Sequence, residues 1–217
     1  MKVKICGITR MEDAMAAADA GADAVGFVFV PSSPRYIDPE SAGCIVRNLP
    51  PFITPVGVFV NETRAGIDQA IALSGIRVLQ LHGEEPPAAA EDFSVPVVKS
   101  FRVGEGFSPA VLAEYVVPAY LLDAFVPGTY GGTGKTFDWS IAVEAKRYGR
   151  IILSGGIHAG NIAEAMRRVG PYAIDVSSGV ESAPGIKDPE KIAGLLRAMR
   201  NADRESSDPR PGSQIQS

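Results

Sequence analysis

The stretch Ala119-Tyr120-Leu121-Leu122-Asp123-Ala124-Phe125 reads as a strand with apolar side chains on both faces and one carboxylate near its end. A strand that meets water on one side alternates apolar and polar residues. One covered on both sides does not, and parallel sheets flanked by helices are where that pattern is common. Seven further runs share it, at 3–8, 24–30, 55–60, 77–81, 96–101, 150–153 and 173–176. Helical signals lie between them. Thr9-Arg10-Met11-Glu12 has the form of a capping box opening an alanine-rich helix that Gly21 closes; Ser108-Pro109 and Asp188-Pro189 each set a capping side chain before a proline; Asp138 caps a helix running toward Gly149. Eight such alternations predict a single closed (β/α)8 TIM barrel of eight parallel strands over residues 1–200, because a doubly wound open sheet usually has fewer strands. Residues 201–217 are rich in charge, proline and serine and read as a disordered polar tail.

Composition narrows the classes of function. With 46% hydrophobic and 21% charged residues and a formal charge of −4, the chain is neither collagen-like, disordered nor a disulfide scaffold. Its scattered Lys and Arg do not form the basic face that phosphate backbones require, so no nucleic-acid partner is expected. The apolar run 24–30 is far shorter than the roughly 20 residues of a membrane helix, and the N-terminus lacks the apolar core of a secretory signal. A cytoplasmic protein with a small-molecule partner is the expectation, with no membrane association. The two cysteines, Cys6 and Cys44, are too few for a disulfide framework or a cysteine metal site.

In such a barrel the working residues lie at the C-terminal ends of the strands. The first strand ends in Cys6-Gly7, which makes Cys6 either a buried small hydrophobe or a base or nucleophile at the barrel mouth. Cys44 falls in a helical stretch and reads as structural. Asp123, after two leucines, is costly to bury unless it faces a cleft or is hydrogen-bonded; it is a general acid or base, or a loop cap. Strand seven runs into Ser154-Gly155-Gly156 and strand eight into Ser177-Ser178-Gly179. Glycine and serine at these two positions, the second before a short helix, are what a barrel uses to hold a phosphate, although each alone would serve an ordinary tight turn. Arg35, stiffened between Pro31, Pro34 and Tyr36, is placed to grip a carboxylate or simply to be solvated. His82 ends strand four and either donates to a ligand oxygen or sits satisfied at the rim. Gly131-Gly132-Thr133-Gly134-Lys135-Thr136 resembles a nucleotide loop, but Thr129 stands where a P-loop needs glycine, and a glycine-rich loop over the mouth fits better.

Taken in order, KICGIT (4–9), GFVF with SPR through Arg35, VGVFVN (56–61), LQLHG (79–83), LLDA, GGTGKTFDW, LSGGI and DVSSGVE with PGIKD resemble the phosphoribosylanthranilate isomerases of tryptophan biosynthesis across residues 2–200. The resemblance implies an Amadori rearrangement of N-(5-phosphoribosyl)anthranilate to 1-(2-carboxyphenylamino)-1-deoxyribulose 5-phosphate, with no cofactor and no metal. It implies Asp123 as general acid, Cys6 as general base, Arg35 at the anthranilate carboxylate, Gly155, Gly156, Ser177, Ser178 and Gly179 at the phosphate, and His82 and Asp175 in the pocket. The partner is then a phosphorylated aminosugar, bound by a monomer or a homodimer. Another sugar-phosphate isomerase or epimerase on the same barrel is the alternative. At neutral pH a free thiol is mostly protonated and a free aspartate mostly ionised, so each group starts in the less useful form. Positive charge from Lys4 or Lys135 is expected to favour the Cys6 thiolate.

Overall fold

The apolar runs become strands because valine, isoleucine and leucine pack on a pleated surface covered from both sides. In the computed structural model, which describes residues 1–124 and 136–207, they are β1 (Lys2–Cys6), β2 (Ala24–Val28), β3 (Thr54–Phe59), β4 (Val78–Leu81), β5 (Val97–Val103), β6 (Ala119–Ala124), β7 (Ile151–Leu153) and β8 (Ala173–Val176). Each pairs in parallel with its sequence neighbours, and β1 pairs with β8, with Lys4 opposite Asp175, so the sheet closes into a barrel. A small antiparallel hairpin, β9 (Glu181–Ala183) and β10 (Ile186–Lys187), follows the barrel.

Among the described residues six α-helices cover the outside: α1 (Met11–Ala20), α2 (Pro39–Val46), α3 (Arg64–Ser74), α4 (Trp139–Ala145), α5 (Ile162–Val169) and α6 (Pro189–Ser207). Helix α5 shows the rule: its buried residues Ile162, Ala165, Met166 and Val169 recur on one face, and its polar residues point away. After β4 and β5 the expected helices are replaced by 3₁₀ turns, Pro87–Ala90 and Pro109–Glu114. Pro86, Pro87 and Pro109 at their starts leave little chain for a regular helix before the next strand.

Several local readings change. Thr9 does not cap α1, whose N-cap is Arg10 with no side-chain bond; the Thr9 hydroxyl donates instead to Gly185 O in the β9–β10 turn, 2.6 Å away. Gly21 does close α1, at φ +99°. Asp138 and Asp188 cap as read: Asp138 Oδ1 accepts from Ser140 N, and Asp188 Oδ1 from Glu190 N and Lys191 N. The tail boundary moves, because α6 continues through Ser207 with Ala202 buried and the N-terminal ammonium 3.3 Å from Asp203; residues 208–217 lie outside the described residues. Cys44 is exposed on α2 beside Arg47 rather than packed inside. Among the described residues no helix is long and apolar enough to cross a membrane.

Candidate active site

Alternate residues of a barrel strand point inward. The inward set of this barrel carries its chemistry: Lys4 and Cys6 on β1, Gln80 on β4 with His82 after it, Asp123 on β6, and Asp175 on β8 with Ser177 after it. Gly26 on β2 makes room for the first pair, since a Cβ there would stand 2.7 Å from Cys6 Sγ and 2.8 Å from Lys4 Cε. Lys4 Nζ lies 3.0 Å from Asp175 Oδ1 and donates to Gln80 Oε1 at 2.7 Å. Gln80 Nε2 is 2.8 Å from His82 Nδ1, and His82 Nε2 is 3.4 Å from Asp123 Oδ2. Asp123 Oδ1 accepts from Ala124 N at 2.9 Å. Hydrogen bonds thus run from Lys4 through Gln80 to His82, with Cys6 beside Lys4 at one end and Asp123 facing His82 at the other.

Electrostatics correct one expectation about the thiol. Burial pushes Cys6 up from the ordinary thiol value and Asp175 adds to the rise, while Lys4 and Lys187 oppose it; burial prevails. Burial would likewise pull Lys4 down, but Asp175 and Cys6 outweigh it and keep Lys4 an ammonium. Positive charge near Cys6 is present, as read, yet it moderates the thiol without making thiolate its resting form. Lys135, the other expected cation, and the glycine-rich segment before it lie outside the described residues.

The phosphate segments meet. Gly155 and Gly156 both have positive φ, +85° and +62°, which favours glycine. Gly179 is forced by contact: a Cβ there would lie 2.0 Å from Ile157 O, so the turn after β8 presses directly on the turn after β7. Gly155, Gly156, Ser177, Ser178 and Gly179 line one cavity together with Asp123 and Asp175. The short helix expected after β8 is a 3₁₀ turn, Ser178–Val180. Two buried polar atoms without a hydrogen-bond partner among the described residues, His82 Nε2 and Ser177 Oγ, stand at this mouth. Buried polar groups left unpaired cost about 1–3 kcal/mol each, so their clustering points to a polar ligand. Among the described residues no group of His, Cys, Asp and Glu could hold a metal ion.

A sequence model of the family described as "N-(5'-phosphoribosyl)anthranilate (PRA) isomerase" matches residues 3–198. The chain belongs to that family. The N-(5'-phosphoribosyl)anthranilate isomerase of Citrifermentans bemidjiense is 54% identical over 195 residues, 90% of this chain and 95% of that one. Among solved structures, the phosphoribosyl anthranilate isomerase of Thermus thermophilus is 41% identical, with a TM-score of 0.86 over 93% of this chain and 99% of that one. A phosphoribosyl anthranilate isomerase in complex with reduced 1-(o-carboxyphenylamino)-1-deoxyribulose 5-phosphate is 39% identical, with a TM-score of 0.82 over the same shares. The activity is therefore that of a phosphoribosylanthranilate isomerase of tryptophan biosynthesis.

Within this isomerase Arg35 is engaged by the protein itself. Its Nε and Nη2 are already engaged, at 2.9 and 2.8 Å, by both oxygens of Glu181 on β9. Lys187 on β10, its side chain wholly buried, donates to the same carboxylate at 2.7 Å. Arg35 is consequently held along its Nε–Nη2 edge. Glu181 and Lys187 were missed as individual residues although both fall inside the DVSSGVE and PGIKD motifs; charge in a segment read as a turn gave no sign of burial. Burial alone would push the Glu181 carboxyl up, but Arg35 and Lys187 outweigh it and hold it below the ordinary 4.5. Its contribution to stability is thus complete above about that pH and is lost as the pH falls through the lowered value. Glu181→Gln is expected to remove about 3 kcal/mol or more, by stranding Lys187, read as a lower urea midpoint at neutral pH. A midpoint equal to wild type would show that the cluster holds nothing in place.

Proposed function

We propose that Asp123 is the general acid and Cys6 the general base of the rearrangement. In this reading Asp123 gives its proton to the ribofuranose ring oxygen while the C1–O bond breaks and the anilino nitrogen lone pair forms a protonated C=N bond. The Cys6 thiolate then takes the C2 proton, and the released electron pair neutralises the iminium to give an enolamine. The enol hydroxyl loses its proton and C1 gains one, which yields the ketose. Every electron comes from the substrate, so these steps require no cofactor. Solvent returns a proton to Asp123 and removes one from Cys6.

The observation that supports this assignment is the convergence of Cys6 and Asp123 on one barrel mouth beside the Gly155-Gly156 and Ser177-Ser178-Gly179 turns. A phosphate on those turns places the sugar between the two groups. Arg35 takes the anthranilate carboxylate, and His82 and Asp175 line the space between. Turnover of freshly generated N-(5-phosphoribosyl)anthranilate, followed by loss of anthranilate fluorescence, tests the roles in wild type, Cys6→Ala and Asp123→Asn. Turnover that survives both substitutions overturns them. We further place the enzyme in the cytoplasm as a monomer or homodimer. Phe52, 94% exposed at the N-terminal end of the barrel beside a cavity of about 340 Å3, is the feature a second copy would cover, and sedimentation equilibrium distinguishes the two states.

A further inference from the structure

Gln80 lies between Leu79 and Leu81 on β4, is almost wholly buried and belongs to no role assigned so far. Its two amide atoms have different neighbours, and those neighbours fix which atom is which. Lys4 is an ammonium, with three donors and no lone pair, so the amide atom 2.7 Å from it is the oxygen. The other amide atom is then the NH2 group, which only donates, and it lies 2.8 Å from His82 Nδ1. That ring nitrogen therefore accepts. A neutral imidazole has one N–H, so the proton of His82 is on Nε2, the atom that faces Asp123 Oδ2 at 3.4 Å and makes no hydrogen bond among the described residues.

We propose that Gln80 is a positioning residue that locks His82 as the neutral Nε2–H tautomer and so presents Asp123 with a hydrogen-bond donor in place of a cation. The proposal rests on the reading of Asp123 as the acid. An imidazolium there would set a full positive charge 3.4 Å from the carboxyl. The Gln80 amide disfavours this, because the ring's second proton would have to go on Nδ1, where the NH2 group already donates. Lys4 completes the device: its positive charge orients the amide, and Asp175 on the neighbouring strand β8 keeps that charge in place. The same lysine that faces the base thereby sets the proton on the residue that faces the acid.

The chain has only two histidines, His82 and His158, so protein labelled with ¹⁵N-histidine in a His158→Gln background reports His82 alone. At neutral pH the expected spectrum has a bare Nδ1 and a protonated Nε2. A protonated Nδ1, or two protonated nitrogens, would overturn the proposal in the unsubstituted site. Gln80→Glu keeps the shape but offers an acceptor to both Lys4 and His82. The proton should then move to Nδ1 or the ring become charged, with kcat falling on the order of 10–100-fold, as when the outer partner of an oriented histidine is lost, and KM changing far less. An unchanged His82 spectrum in Gln80→Glu, or a switched spectrum with full kcat, would equally overturn it. Should that variant fold poorly, Gln80→Leu removes the lock without adding charge and is expected to give a mixture of tautomers; a pure Nε2–H form there refutes the role. The spectra stand apart from turnover: if Asp123→Asn retains activity, the acid assignment fails whatever the tautomer.

Discussion

Asp123→Asn should lower kcat by about 10²–10⁴-fold, the range over which a positioned general acid contributes, with the barrel still folded. The asparagine keeps the volume of the carboxyl, and its oxygen can still accept from Ala124 N, so the loop after β6 has no reason to move. What it lacks is a proton to give. Its NH2 group would also stand in place of Oδ2, 3.4 Å from His82 Nε2–H, a donor-against-donor contact that lowers stability modestly. The expected pattern is a large loss in kcat, a small change in KM and a modestly lowered unfolding midpoint. A variant with near wild-type kcat would show that the ring oxygen takes its proton from elsewhere.

Cys6→Ala should be of comparable size and opposite in its pH signature. Because burial holds the Cys6 thiol above its ordinary value, the base is in its working form only in a minor fraction at neutral pH, and that fraction grows as the pH rises. Wild-type kcat/KM should therefore carry a rising limb on the alkaline side of neutrality. Cys6→Ala should lose about 10²–10⁴-fold in rate and lose that limb as well. Cys6→Ser retains a small polar atom but replaces the thiol with a hydroxyl that ionises far less readily, so it should resemble the alanine variant. Exposed Cys44 has no part in the limb, and Cys44→Ser should leave the profile as it is. A limb that persists in Cys6→Ala belongs to another group and removes the thiol from the mechanism.

The barrel was legible in the sequence because its signal is repeated. Eight double-faced apolar runs separated by helical punctuation leave few topologies open, and no single boundary error changes the count. The two 3₁₀ connections were not legible, since the alternation predicts a covering element without its winding, and Pro86, Pro87 and Pro109 act on the winding alone. Cys6, Asp123 and the two glycine turns were readable because they stand at strand ends, where a polar or conformationally special residue interrupts an apolar run. Gln80 gave a fainter form of the same signal, one polar residue between two buried leucines. Its meaning depends on Lys4, 76 positions earlier, and nothing in local pattern encodes that distance. Glu181 and Lys187 were obscured by a different rule. Surface turns are usually charged, so a buried ion cluster on a hairpin looks like solvent-facing composition. The cap assigned to Thr9 failed for a related reason: a hydroxyl suited to one local bond was used for a remote one at Gly185.

Closure of the sheet through β1 and β8 bears on the order in which the enzyme comes into being. Lys4 and Cys6 leave the ribosome well before Asp175 and Lys187, which set the charge around them. A growing chain that has completed six strands already contains the thiol and Asp123, yet lacks Asp175, the residue opposite Lys4, and the turns after β7 and β8. Cys6 acquires its setting between Lys4 and Lys187 only once β8 and the hairpin after it are in place.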